Sequence, residues 1–342
     1  MAIFRHLKRM VTDWFLCGML LATLLAYLFP SFGATGGAMH AEWVVNIGIF
    51  VVFFLHGVNL SGEQIRHGLK NTRLHVMVQG FTFGVFPLIW LLCNGLLGSH
   101  VPSLLMLGFF YLCALPSTIS SSVALTGSAG GNVPAAILNA SLSSVLGIFL
   151  TPLLVSLVVG SGAGGIDLGA TLLDLCLMLL LPLVLGQFLR RWVAGFFGRY
   201  KRYTSVIDKL VILLLVYAAF CNSMVSGIWR QQGNGVLLSA VIGSAVLLAI
   251  ILWTTTRTAR ALKFSSADEV AAVFCASKKS LAAGVPMAAL IFGDHPGLGL
   301  ILLPIMIYHP LQLIVCSILA ERYSNHHRAL AAQRSDSILN AR

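Results

Sequence analysis

The chain has 342 residues, of which 58% are hydrophobic and only 10% charged, with a formal net charge of +11. A soluble domain carries about 25% charge, so the apolar surplus excludes an ordinary water-soluble globular class. The charge would suit a nucleic-acid partner only if it were clustered on one soluble face, and it is not.

Apolar runs follow one another along the whole chain, each near the 17–25 residues or so that cross a bilayer core. They predict spans at Trp14–Phe29, Trp43–Asn59, Val76–Leu97, Leu104–Thr126, Val133–Val158, Ala170–Leu189, Val206–Val225, Val236–Thr255, Val270–Phe292 and Gly297–Leu319. The first follows Arg5, Lys8 and Arg9 as a signal peptide would. No clean small-x-small cleavage site stands near Ser31–Ala41, so it is read as a retained helix. Of the 22 Lys and Arg residues, nineteen fall on one side of this alternation and Arg230 alone on the other. Lys278 and Lys279 lie inside a span. The positive-inside rule then predicts an even count of ten spans, both termini cytoplasmic, in a cell inner (plasma) membrane.

All seven cysteines fall in apolar spans, so neither a disulfide framework nor a metal site is expected. The longest connection is expected over 190–205 and a polar, disordered tail after Glu321. The most basic connection sits near the midpoint, and the halves share a faint echo. Cys113-Ala114 and Val123 match Cys275-Ala276 and Val285 without a gap, and Thr151-Pro152-Leu153 aligns with His309-Pro310-Leu311. Five spans per unit would invert the second copy, as in many secondary transporters. The expected organisation is a first repeat over 1–158, a second over 159–320 and a tail over 321–342.

Span four carries Pro116 followed by Ser117, Thr118, Ser120, Ser121 and Ser122. Proline removes a backbone donor, and groups freed at membrane depth need hydroxyls, water or ions as partners. A plain kink with serines bonded to their own helix is the alternative. Span nine reads Phe274-Cys-Ala-Ser-Lys-Lys-Ser-Leu281, with Lys278 and Lys279 near its middle. Each ammonium there costs on the order of 3 kcal/mol, and neighbours on a helix point about 100° apart. A broken helix with an ammonium facing a polar cavity is therefore predicted; the alternative is a lysine held by carbonyls purely as glue. Few acidic residues could pair with them: Asp174 lies near one end of span six, and Asp13, Asp208, Asp268 and Glu269 lie at cytoplasmic ends. A positive cavity suits an anionic solute. Asn139, Ser141, Ser143 and Ser144 cluster in span five, while His309 and Gln312 lie midway along span ten. His309 reads as a ligand, a proton relay or a packed polar group. Asn46, Gln79 and Asn222 read as interhelical hydrogen-bonding residues.

The ten-span layout, the Pro116-Ser-Thr break with Ser121-Ser122-Val123, and Gly131-Asn132-Val133 resemble the bile acid:sodium symporter family. Phe274-Cys-Ala-Ser-Lys-Lys-Ser-Leu-Ala-Ala-Gly-Val-Pro-Met287 and Ile307-Tyr-His-Pro-Leu-Gln312 resemble its sodium/bile acid cotransporter 7 branch. The resemblance implies an all-α polytopic membrane protein in which helices 1, 2, 6 and 7 form a panel beside a core of helices 3–5 and 8–10. Broken helices 4 and 9 would cross in that core, and the two parts would move to alternate access. In sodium-coupled members, two cation sites use polar groups of helices 4 and 5 and a glutamate and glutamine of helix 9. Here Ser121 falls on the family's serine and Ser122 replaces its asparagine. Ala136 and Ala140 fall near the helix-5 hydroxyl positions, with Asn139 and Ser141 adjacent. The glutamate position falls at or near Cys275 and the glutamine at or near Lys279. Loss of a carboxylate removes the strongest ligand for a hard cation.

The expected function is secondary active transport of a small anionic organic solute by a symporter-like protein of the bilayer, with sodium, a proton or no ion coupled. Its predicted binding set is Ser117, Thr118, Ser121, Ser122, Asn139, Ser141, Cys275, Ser277, Lys278, Lys279, Ser280, His309 and Gln312. No catalytic residue, metal ligand, organic cofactor or nucleic-acid partner is expected, and the oligomeric state is left open. A non-transporting membrane regulator of cation balance or envelope assembly is the rival class. An enzyme would need a motif such as Gly-x-Ser-x-Gly or His-Glu-x-x-His, which is absent.

Overall fold

The computed structural model describes residues 14–59, 71–98, 100–159, 168–231, 235–293 and 295–340. Arg5, Lys8, Arg9, Asp13, Arg66, Lys70 and Arg342 lie outside the described residues, as do the side chains of Asp174, Cys176, Lys201, Arg202, Arg328 and Arg334.

All regular structure among the described residues is helical. In chain order the helices are α1 (Trp14–Leu28), α2 (Pro30–Gly33), α3 (Ala41–Asn59), α4 (Thr72–Gly80), a π-turn at Phe81–Val85, α5 (Phe86–Leu97) and α6 (Ser103–Ala114). There follow α7 (Ile119–Ser128), α8 (Val133–Val159), α9 (Leu168–Arg199), α10 (Lys201–Val225), α11 (Ile228–Gln231) and α12 (Gly235–Ala261). The last three are α13 (Ser266–Ala276), α14 (Leu281–Phe292) and α15 (Leu298–Asn340). By length and composition, five helical stretches among the described residues can cross a membrane, or six when α6 and α7, bent by 61°, count as one span. Many apolar side chains face outward, with Leu20 75% and Leu96 78% exposed, as lipid-facing residues are. Together these define a multi-pass membrane protein.

Two expectations about connections are corrected. The loop expected over 190–205 is helix except at Tyr200, because α9 runs to Arg199 and α10 starts at Lys201. The tail after Glu321 is helical to Asn340 as a continuation of α15. Polarity alone does not end a helix; with no proline or glycine after Pro310, the ladder has nothing to break it.

The helices fall into two packed groups. In one, α1, α2, α3, α9 and α10 pack among themselves; in the other, α4 to α8 pack with α12 to α15. Where the groups adjoin, α10 meets α14 and α15, α3 and α9 meet α14, and α9 also meets α8. The first group is held by close backbone approach. A Cβ on Gly57 would lie 2.1 Å from the Leu183 carbonyl oxygen, and one on Gly186 would lie 2.2 Å from that of Phe54. Small residues at such a crossing let α3 and α9 touch, which is how packing holds helices together in lipid. Gly186→Val forces these backbones apart and is expected to destabilise the protein by about 1–3 kcal/mol. Unfolding of the purified protein in detergent measures it.

Candidate functional site

The site forms where the two interrupted helix pairs meet. Pro116 ends α6 by withholding an N–H, and α7 resumes after Thr118. The second break covers 277–280, between α13 and α14. Four hydrogen bonds join one break to the other. Ser280 N–H donates to the Pro116 carbonyl at 2.9 Å, and Thr118 Oγ1 donates to that of Lys279 at 3.0 Å. Ser117 Oγ donates to the Cys275 carbonyl at 2.6 Å and Ser122 Oγ to that of Phe274 at 3.2 Å. Backbone groups that each helix abandons are thus claimed by the other, as an interior without water requires. The serines bond across to α13, not back to their own helix, so a plain proline kink is not what forms.

Flanking helices complete the satisfaction of each break. Ser143 of α8 accepts from the Ser117 N–H at 2.9 Å, and Thr151 of α8 donates to the Ala114 carbonyl at 2.8 Å. Gln312 of α15 grips the Lys279 peptide unit from both sides. Its Oε1 accepts from the Lys279 N–H at 2.9 Å, and its Nε2 donates to the Lys279 carbonyl at 2.8 Å. The same Nε2 approaches His309 Nδ1 at 3.0 Å, where Nδ1 acts as the acceptor. This contact lets His309 orient Gln312. Ser280 caps α14 through the Ala283 N–H at 3.2 Å, and Ser277 Oγ bonds the Val273 carbonyl at 2.6 Å.

The two lysines differ sharply, although both are wholly buried. Lys279 Nζ donates to three carbonyls, those of Thr82 at 2.8 Å, Cys113 at 2.7 Å and Leu115 at 2.7 Å. It also lies 4.0 Å from the centroid of the Phe86 ring, a cation–π distance. Cys113 and Leu115 stand at the carbonyl end of α6, the negative end of its dipole. The Thr82 carbonyl is free for a reason written in the chain. Phe86 N–H bonds to Phe81 in the π-turn, and residue 87, the next donor position, is proline. This is the arrangement in which carbonyls of broken helices hold a lysine. Lys278 Nζ, by contrast, has no hydrogen-bond partner among the described residues, and the Cys275 and Cys316 thiols are its neighbours.

The remaining predicted residues gather nearby less completely. Asn139 is buried, bonds the Ala135 carbonyl through Nδ2 at 3.0 Å, and leaves Oδ1 without a partner among the described residues. Ser121 Oγ is likewise buried with no partner among them, and Ser141 is buried in α8. Gln79 crosses from α4 to the Asn139 carbonyl at 3.0 Å, and Asn222 pairs with Thr35 at 2.8 and 3.1 Å. Asn46 lies exposed, with no partner among the described residues.

Sequence reasoning missed a second knot at one end of the core. Asn71, Asn132 and Ser265 cap α4, α8 and α13 through the Leu74, Ala135 and Asp268 N–H groups. Asp268 then accepts from Asn71 Nδ2 at 3.2 Å and Asn132 Nδ2 at 2.7 Å. One carboxylate thus gathers three helix N-termini, where negative charge is favoured. The cap-forming residue types were visible, but partners up to 197 positions apart leave no local pattern.

A helical membrane protein with paired interrupted helices is the architecture of a secondary transporter. Residues 13–325 match the SBF-like CPA transporter family, and the chain belongs to it. It is 44% identical to an uncharacterized protein of Pseudomonas aeruginosa, over 96% of this chain and 98% of that one. It is 43% identical to the Escherichia coli protein named "Putative symporter YfeH", over 96% and 97% of the two chains. Sodium/bile acid cotransporter 7 of Rattus norvegicus is 34% identical over 92% of this chain and 93% of its own. The family and the last two of these names are those of transporters and not of enzymes, and they imply a small-molecule substrate.

Replacing Gln312 with Leu strands the Lys279 N–H in a dry interior and leaves the Lys279 C=O to Thr118 alone. The expected destabilisation is about 1–3 kcal/mol, chiefly for the stranded N–H, read as a lowered unfolding midpoint in detergent. His309→Ala, which leaves Gln312 its two backbone bonds, is expected to cost less than half as much.

Proposed function

We propose that this chain is a ten-span alternating-access transporter of a small organic anion, in which Lys279 is a permanently tethered cation and Lys278 meets the solute's negative charge. The observation that carries this reading is the contrast between them: one buried ammonium is closed on three carbonyls, while its neighbour has no hydrogen-bond partner among the described residues. A bound cation in a relative can be lost to solution, whereas an ammonium on the chain cannot, so no sodium gradient is needed. A proton or no ion is then the coupled species. The predicted set from Ser117 to Gln312 serves this site, with Ser121 and Asn139 offering open acceptors beside it.

Several contacts support two inverted repeats over 1–158 and 159–320, with a tail over 321–342. The echoed positions have matching duties: the Cys113 carbonyl receives Lys279 Nζ, and the Cys275 carbonyl receives Ser117 Oγ. Thr151 serves the first break, and His309 serves the second through Gln312. Parity supports ten crossings. The N-termini of α4, α8 and α13 meet at Asp268, and the ends of the eighth and tenth spans meet there too, through Arg260, Glu269 and Tyr323. That face carries the basic connections, which supports cytoplasmic termini in an inner membrane.

Proteoliposomes holding the full chain and challenged with a panel of labelled carboxylates and sulfonates test the proposal. Accumulation is expected with potassium in place of sodium. A strict sodium requirement overturns the tethered-cation reading, and absence of flux for every anion favours the regulator class. Lys278→Met is expected to abolish flux with the unfolding midpoint unchanged or raised, because an unpartnered buried charge is removed. Lys279→Met is expected to lower that midpoint, since it strands three carbonyls.

A further inference from the structure

A second site lies away from the crossing, on the flank where α12 and α15 pack side by side. Between them runs a groove of about 620 Å³. One end holds three arginines, Arg257 and Arg260 from α12 and Arg322 from α15. The other is walled by Trp253, Val315 and Leu319. Trp253 is 62% exposed and Val315 38% exposed, so the apolar end opens outward to lipid. From Trp253 to Arg260 the wall climbs roughly 10 Å at helical rise, about the depth from a headgroup to the first part of its acyl chain. Tryptophan at that level is the usual marker of a membrane interface.

The charges leave room for an anion. Glu269 holds Arg260 at 3.1 Å, and Arg257 stands 5.7 Å from the Trp253 ring. Neither Arg257 nor Arg322 has a salt bridge among the described residues. Glu321 is the other carboxylate at this end, next to Arg322 in the chain. Basic pockets between transmembrane helices at the cytoplasmic side suit anionic headgroups, and an apolar wall running inward from them suits acyl chains better than it suits a soluble anion.

We infer that this groove binds one anionic phospholipid of the surrounding bilayer, its phosphate at Arg257 and Arg322 and an acyl chain along Trp253 and Val315. An occupant touching Arg260 competes with Glu269 on the first half of the interrupted ninth span, so the site adjoins the moving core without belonging to the solute site.

Native mass spectrometry of the full chain in detergent tests the assignment with three additives: phosphatidylglycerol, phosphatidylcholine and glycerol phosphate. One phosphatidylglycerol is expected to be retained in preference to phosphatidylcholine. Arg257→Gln with Arg322→Gln is expected to weaken that retention on the order of thirtyfold, about fivefold for each arginine. Arg190→Gln with Arg191→Gln, on another basic segment, is expected to leave it unchanged. Equal retention of the two lipids, an unaffected Arg257/Arg322 variant, or full competition by glycerol phosphate overturns it.

Discussion

Backbone polar groups freed in the middle of a membrane have no water to turn to, and most of this molecule is arranged around that fact. Two helices are interrupted at the same depth, by Pro116 in one and by the 277–280 stretch in the other. Each interruption would be prohibitively costly alone. Set against each other they become mutual partners, with α8 and α15 supplying what remains through Ser143, Thr151 and Gln312. The buried side chains from Val270 to Leu281 follow from this requirement: a broken helix can exist only where protein surrounds it.

Within that frame, Lys279 does for backbone what a hard cation does in other proteins. Three carbonyl oxygens at 2.7–2.8 Å and an aromatic face form its cage. The charge that makes a lysine expensive in lipid becomes the reason three otherwise orphaned oxygens are tolerated. Cys275, in the last turn of α13, sits with its thiol 3.7 Å from the Ala136 carbonyl. A soft thiol adds little to a site for a hard cation.

Much of this was legible in the residues. The apolar runs located most of the helices to within a few positions, because a stretch long enough to cross lipid has few other fates, but they missed that α9 runs on to Arg199 and α15 to Asn340. The break near Pro116 and the burial of Lys278 and Lys279 were readable from cost alone. Which lysine would be caged was not, since a break destroys the periodicity that assigns side chains to faces. The Thr82 carbonyl was hidden for a related reason: it depends on a one-residue shift of register in the π-turn Phe81–Val85. The only hint was Pro87, inside a run that otherwise reads as continuous helix. Asp268 read only as an acid at a cytoplasmic end, whereas Asn71 and Asn132 close on it. The tail past Glu321 misled because polarity marks solvent, not disorder.

The cage around Lys279 also bears on how the protein is made. Its oxygens come from Thr82, Cys113 and Leu115, and the ammonium lies 164 to 197 residues further along the chain. At roughly 5–20 residues per second of synthesis, the first interrupted helix waits on the order of ten to thirty seconds in the bilayer before its partner is made. During that interval its open carbonyls need another host, whether water drawn into the membrane or the insertion machinery itself. The interval before Lys279 is made is thus a holding state, released only when the break between α13 and α14 arrives.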